Sequence, residues 1–325
     1  MTTAIILLNW NGAQDTEECL ASLYNATSDF YVVLVDNGSE DDSVSRLRVF
    51  LDTQGITFRH LTKGQALTSA PRLRECILYE AGENLGFARG NNAAVRLVRD
   101  FAPDRYLLLN NDTIVEPDFL KRLATFNQEH PEYDALTPLI CYNEPRTMVW
   151  NAGGRQFLGL RKYNYAKANV GLIREKGFIP ITFLTGCALF FSASVLNSDG
   201  VPLTERFFFG EEDFEFCLRQ NRAGRKMACV LDSRIYHKVS SSTSGRSPLG
   251  RIFIHYLNRF IDMRLHYGGV RYAFWTLFYV PYVQVLLARK GYGLKSSFSL
   301  PWKVLRRSYR QDSVTREDFL KALLG

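Results

Sequence analysis

Short apolar runs punctuated by polar clusters dominate the first half of the chain, and their alternation predicts strands and helices in turn. Ala4–Leu8 reads as a buried strand ending in Asn9-Trp10-Asn11-Gly12. Tyr31–Val35, rich in β-branched residues, ends in Asp36-Asn37-Gly38-Ser39. Between them, Asp15–Tyr24 puts Cys19, Leu20 and Leu23 on one helical face. Ser39, with Asp42 three residues on, resembles a capping box for a helix through Leu47 and Leu51. After an insertion around Thr57–Arg72 come a strand at Ile77–Tyr79, a helix over Asn91–Phe101 and a strand at Tyr106–Leu109. Pro117 then opens a further helix at its first position. Strands alternating with helices require crossover connections, so the pattern predicts an α/β fold with a mostly parallel sheet flanked by helices. Each polar cluster follows the carboxyl end of a strand, where open α/β sheets bind their ligands.

The second half is less regular. Asn151–Thr182, rich in Gly, Tyr and Lys, predicts loops or antiparallel strands, and Phe183–Phe191 is apolar around Thr185-Gly186. Glu212–Asn221 reads as a helix stopped by Gly224, and Met227–Tyr236 as a strand ending at His237. The polar hinge Ser240–Ser244 divides a domain over 1–245, with halves at about 1–115 and 116–245, from a helical region over 246–325. There, Arg251–Tyr267 sets Ile252, Leu257, Phe260, Ile261 and Leu265 among Arg259 and Arg264, an amphipathic pattern. Ala273–Ala288 is apolar and aromatic, interrupted by Pro281 and Gln284. At about 16 residues it is shorter than the roughly 20 a membrane span needs. A helix lying in the membrane interface fits it, and so does a helical subdomain packed on the rest of the chain.

Charge sharpens the first of these readings. The chain carries +7, yet from Arg246 to Arg310 there are 12 Lys or Arg against one acid, Asp262, which is +11 and leaves −4 elsewhere. Such asymmetry suggests an anionic partner, and basic residues interleaved with aliphatic and aromatic runs suit a lipid surface better than nucleic acid. The six cysteines show no CxxC pair and read as reduced, buried thiols of a cytosolic protein. The N-terminus, without a basic n-region, reads as a strand and not a signal peptide.

Asn110-Asn111-Asp112, at a strand tip, can hold a hard divalent cation through oxygen ligands, or can simply turn the chain. Asp36 can accept from a base or ribose, or make a turn before Asn37-Gly38. Glu83–Asn92 offers glycines for close backbone approach and Arg89 for phosphate; it is neither GxGxxG nor a P-loop, which argues against an oxidoreductase. Glu211-Glu212-Asp213 reads either as solvated charge at a helix N-terminus or as the seat of a general base. His237 is either a structural residue or a metal ligand.

The order of these motifs carries more than any one of them. VVLVDNGSEDDS, ENLGFARGNN, LLLNNDTIVEP, FLTGCALFFS, FFFGEEDFEFCLR and IYHK follow one another over about residues 3–240. In this the chain resembles the inverting family-2 glycosyltransferases of GT-A fold, especially their rhamnosyltransferase-like branch. The resemblance implies nucleotide-sugar contacts at Asn9, Asp36, Asn84, Arg89 and Asn111, and an acceptor site at Thr185, Gly186 and Glu212. It implies Asp213 as catalytic base, and Asp112 with His237 as ligands of a divalent cation, Mg or Mn. The metal motif of the family is DxD; here its position reads Asn110-Asn111-Asp112, with one acid retained. The implied partners are a dTDP- or UDP-linked sugar, L-rhamnose among the candidates, and a lipid-linked saccharide acceptor in bacterial surface-polysaccharide or O-antigen assembly. The implied place is the inner face of the plasma membrane, peripherally bound. A sugar nucleotidyltransferase, which would carry a Gly-rich phosphate loop near the N-terminus, and a catalytically degenerate nucleotide-sugar-binding membrane protein are the competing readings.

Overall fold

The computed structural model describes residues 1–239 and 247–324. The chain runs β1 (Thr3–Asn9), α1 (Ala13–Tyr24), β2 (Phe30–Asp36), α2 (Ser43–Thr53), β3 (Phe58–Thr62), β4 (Cys76–Glu80), α3 (Phe87–Val98), β5 (Arg105–Asn110), β6 (Thr113–Val115) and α4 (Phe119–Glu129). It continues through β7 (Tyr133–Tyr142), β8 (Val149–Asn151), β9 (Gly154–Phe157), β10 (Leu160–Tyr163), β11 (Phe178–Ile181), β12 (Ala188–Phe191), α5 (Glu212–Arg222) and β13 (Lys226–His237). Four helices follow: α6 (Pro248–Tyr267), α7 (Gly269–Arg289), α8 (Leu294–Ser308) and α9 (Arg316–Leu324).

The central sheet has the order β11-β13-β7-β12-β5-β1-β2-β4-β3, with β6 and β8 attached at β13 and β7. Strands β3, β4, β2, β1 and β5 are parallel, while β12 runs antiparallel between β5 and β7. The register sets Asn9 opposite Asp36 and Leu8 opposite Asn110, so three strand ends finish on one rim. Helices α3 and α5 cover one face of the sheet through Ala94, Val95, Val98, Phe216 and Cys217. Helices α1, α2 and α4 cover the other through Leu20, Leu23, Leu47, Leu51 and Leu123. Each Val, Leu or Phe among them contributes roughly 1.5–3 kcal/mol by leaving water. All six cysteines are free and buried.

Local departures from the sequence reading have physical reasons. The stretch 57–72 holds an edge strand, β3, paired parallel with β4. Asp42, not Ser39, immediately precedes α2, because the Ser39 hydroxyl is drawn to Asp36 at 2.5 Å. Helix α4 starts at Phe119, two residues beyond Pro117. Helix α3 starts at Phe87, so Arg89, Gly90 and Asn91 are helical, and its last turn tightens to 3₁₀ geometry over Arg99–Phe101. Helix α7 runs unbroken through Pro281.

The boundary at 245 lies outside the described residues. On either side of it the chain shares one core: Phe207 and Phe214 pack with Leu257, Phe260, Trp275 and Tyr279 of the C-terminal helices. Phe208 N–H donates to Val314 and Val314 N–H to Arg206, a short pairing that stitches the two parts together. Arg259, expected on a basic helix face, is instead buried against Glu211. Among the described residues no helix is long and apolar enough to cross a membrane. What α7 and α8 do expose is an apolar ridge, with Val270, Phe274, Leu277, Phe278, Phe298 and Trp302 each more than half exposed.

Candidate functional site

The rim of β1, β2 and β5 is joined by one chain of hydrogen bonds. Asn9 Nδ2 donates to Asp36 Oδ1 at 2.9 Å and to Ser39 Oγ at 3.1 Å. Thr16 Oγ1 donates to Asn9 Oδ1 at 2.9 Å, and Asn111 Nδ2 donates to Thr16 Oγ1 at 2.8 Å. Asp36 Oδ2 accepts from Ser39 N–H at 3.0 Å, so this carboxylate makes its turn while standing at the rim. Each of its oxygens keeps acceptor capacity for a ligand.

Asn84 belongs to the adjoining loop. Its Oδ1 accepts from Gly86 N–H and from Asn37 Nδ2, and Asn37 Oδ1 accepts from Leu85 N–H. Gly86, at φ 81° and ψ 178°, allows the loop to touch Phe208; a Cβ there would lie 2.0 Å from the Phe208 carbonyl oxygen. This is backbone that only glycine adopts readily. Arg89, by contrast, turns toward Glu205, 3.9 Å away, on the face of α3 it shares with Asn92 and Arg96. Arg89 therefore pairs away from the rim network.

Asp112 and His237 do come together: Nε2 of His237 lies 3.1 Å from Oδ1 of Asp112, both side chains nearly buried. Pairing of β6 with β13 brings this about, setting His237 opposite Thr113. Two ligands each about 2.1 Å from an octahedral cation stand roughly 3 Å apart, so the pair fits one Mg or Mn. Among the described residues no group of three or more His, Cys, Asp or Glu surrounds a point. A cation held by these two would keep positions for diphosphate oxygens and water, which suits a hard ion and not structural zinc. Burial works against an imidazolium at His237, but the adjacent Cys187 sulfur and the Asp112 carboxylate outweigh it and raise the ring to about 10. A cation would therefore have to displace a proton.

Of the three acids of 211–213, two are buried and the third is partly exposed. Glu211 and Glu212 are each 4% exposed. Glu211, in left-handed backbone at φ 77°, precedes α5. Its carboxylate accepts from Arg259 Nε at 2.6 Å and from Arg161 Nη2 at 2.7 Å, and lies 2.9 Å from His255 Nδ1. Burial alone would raise it, yet the two guanidinium groups hold it well below the usual carboxylate range. Glu212 Oε1 accepts from Gly210 N–H at 2.8 Å, and burial pushes its carboxyl up to about 8. Asp213 is raised by burial too, with Arg161 opposing and Glu211 adding to the rise. Its Oδ2 accepts from Gly186 N–H at 3.4 Å, and its side chain keeps 21% exposure.

The turn Thr185–Cys187 thus touches both centres. Gly186 meets Asp213, Cys187 stands beside His237, and the Cys187 carbonyl accepts from Asn110 N–H at 2.8 Å. Sequence reasoning missed Asn37 and Ser39, whose polar side chains in a strand-end cluster were a usable signal, and Thr16, which lies one turn into α1. It also missed Arg161 and Arg259, which give none, because their partner Glu211 is some 50 residues away in each direction.

Among solved structures the chain is similar to TarS of S. aureus, at TM-score 0.53 and 14% identity over 88% of this chain and 44% of that one. The TarS fragment 1–349 gives TM-score 0.52 at 14% identity, covering 99% of this chain and 81% of that one. The mannosyltransferase PcManGT from Pyrobaculum calidifontis, in complex with GDP-Man and Mn²⁺, gives TM-score 0.54 at 14% identity over 95% and 75%. At such identity the likeness is one of fold, and the chain spans less than half of full TarS. No curated protein matches the sequence. A family model described as glycosyltransferase-like family 2 matches residues 4–248, well over half of the chain, and the chain belongs to that family.

Proposed function

We propose that this glycosyltransferase moves a sugar from a nucleoside-diphosphate donor to an acceptor hydroxyl in one inverting displacement, with Asp213 as base. The observation that carries the reading is the turn 185–187, which contacts Asp213 on one side and the His237–Asp112 pair on the other. The linked rim residues Asn9, Asp36 and Asn111, with Thr16 of α1, supply polar groups for the nucleotide. Thr185, Gly186 and the protonated carboxyl of Glu212 line the acceptor side, where a neutral carboxyl can donate to a sugar hydroxyl. Asp213 takes the proton of the attacking hydroxyl, and its partial exposure leaves it reachable. Asp112 and His237 would hold the divalent cation, which when bound neutralises charge on the departing diphosphate.

The same reading has the protein working against a membrane on a lipid-linked saccharide. In support, no acid occurs between Asp262 and Asp312, a stretch with nine Lys or Arg, and the ridge of α7 and α8 lies within it. Beside that ridge, Leu158 and Leu160 line a groove of about 600 Å³ with Phe274, Trp275, Phe278 and Tyr282, an apolar lining that suits a hydrocarbon chain. The test is transfer from a nucleotide-sugar panel, dTDP-rhamnose and UDP-hexoses included, with and without manganese, followed by anomeric analysis of the product. Asp213→Asn should abolish transfer while leaving donor binding; turnover near that of the native protein, or a product of retained configuration, would overturn the mechanism.

A further inference from the structure

Arg161 is a basic residue that neither the motif order nor the charge asymmetry singles out. It sits on β10, in the two-stranded β9–β10 hairpin that stands apart from the central sheet. Its guanidinium lies between the rings of Phe183 and Phe214, 4.7 and 4.8 Å from their centroids. From there Nη2 meets Glu211 at 2.7 Å and Asp213 Oδ1 at 4.0 Å, with the side chain only 14% exposed. A planar fork clamped between two rings has little rotational freedom, so the carboxylates it meets are held in direction as well as in charge.

What holds Arg161 there comes from the C-terminal helices. Arg259 of α6 donates to both oxygens of Glu211, from Nε to the Oε2 shared with Arg161 at 2.6 Å and from Nη2 to Oε1 at 3.0 Å, and stacks over the same Phe214 ring at 4.1 Å. Arg259 also donates to the carbonyl of Gly159 at the hairpin tip. Two residues of α7 grip that tip as well: Trp275 Nε1 donates to the Leu158 carbonyl at 2.9 Å, and Tyr279 Oη to the Gly159 carbonyl at 3.3 Å. The hairpin is therefore held at its tip by α6 and α7 while its next strand presents Arg161 to Asp213.

We infer that Arg161 is a positioning residue for Asp213, and that α6 and α7 set its place through Glu211, Arg259 and the tip of the β9–β10 hairpin. The inference rests on Asp213 being the base. The titratable groups facing Asp213 are Arg161 from β10 and its own neighbours Glu211, which is charged, and Glu212, which burial keeps protonated; His255 and Arg259 of α6 act on it through Glu211. Losing Arg161 removes the guanidinium that directly opposes the rise at Asp213, so Asp213 takes up its proton more readily.

The test compares Arg161→Gln, Arg161→Lys and Asp213→Asn, measuring kcat, donor KM and the pH dependence of kcat/KM. Arg161→Gln should lower kcat by roughly ten-fold or more with donor KM nearly unchanged, and move the acid limb toward higher pH by about one unit. Arg161→Lys, which keeps the charge and loses the fork, should restore the limb but only part of kcat. A residue that merely braces the fold would reduce the yield of folded protein and leave the limb of the remainder in place, and that result overturns the inference. If Asp213→Asn is inactive while Arg161→Gln keeps native kcat and pH profile, the positioning role alone fails. If Asp213→Asn is itself active, the base assignment and the inference fall together.

Discussion

Replacing Glu212 by Gln should make the protein more stable at neutral pH, although it alters a buried residue of the candidate site. Glu212 is 4% exposed, its Oε1 accepts from Gly210 N–H at 2.8 Å, and burial raises its carboxyl to about 8 from an ordinary 4.5. With the folded value above the unfolded one, the folded chain holds this proton more tightly. The stability linked to it is fully present below about pH 4.5 and drains away as pH rises toward 8. A gap of about 3.5 units at ~1.4 kcal/mol each is about 5 kcal/mol in total, of which about 3 kcal/mol is already lost at pH 7. Glutamine keeps the shape and the Oε1 acceptor for Gly210 and has no proton to lose. Glu212→Gln and the native protein should therefore melt together near pH 4.5, and the variant roughly 5 °C higher near pH 7.5. Thermal melts across that range decide it. A difference in Tm that does not change with pH would mean that Glu212 is ionised in the folded chain, and that the protonated hydrogen-bond donor proposed for the acceptor side does not exist.

Three other outcomes are expected. Asp112→Asn removes the only carboxylate of the Asp112–His237 pair, so the manganese concentration for half-maximal transfer should rise about ten-fold or more, and titration with EDTA should silence the native protein. Gly86→Ala places a Cβ against the Phe208 carbonyl in backbone only glycine adopts, so stability should fall by about 3 kcal/mol, read as a lowered Tm; an unchanged Tm would mean the loop does not approach Phe208. Phe274→Ser with Trp302→Ser should weaken co-sedimentation with anionic vesicles while leaving transfer to a soluble acceptor intact; undiminished vesicle binding would dismiss the ridge as a membrane contact.

The parts of this fold legible in the sequence are those set by local pattern. Apolar runs such as Ala4–Leu8 and Tyr31–Val35 are buried on both faces of a parallel sheet, so they are continuous and easy to read. The polar clusters behind them mark the rim because nothing else ends a buried strand in that way. The pairing of Asp112 with His237 was named through resemblance, and its physical origin, β6 laid against β13, has no local trace. Arg259 shows the limit most plainly. On a helical wheel it belongs to a basic face, yet Glu211, 48 positions earlier, draws it into the interior. The acids at 211–213 left two readings open for the same reason: charges at the start of a helix are ordinarily wet, and the burial of Glu211 comes from Arg259 on a distant helix.

The shared burial of Glu211 bears on how this chain can be cut. Removing everything after residue 246 would strip Arg259 and His255 from a carboxylate that is 1% exposed and uncover Phe207 and Phe214. An ion left inside with half its counter-charge costs several kcal/mol. The helices after the boundary are thus not a detachable tether: a shortened protein ending at the edge of the matched family region should be recovered as aggregate, and grafting these helices onto another catalytic body would carry over no function without a glutamate waiting to receive them.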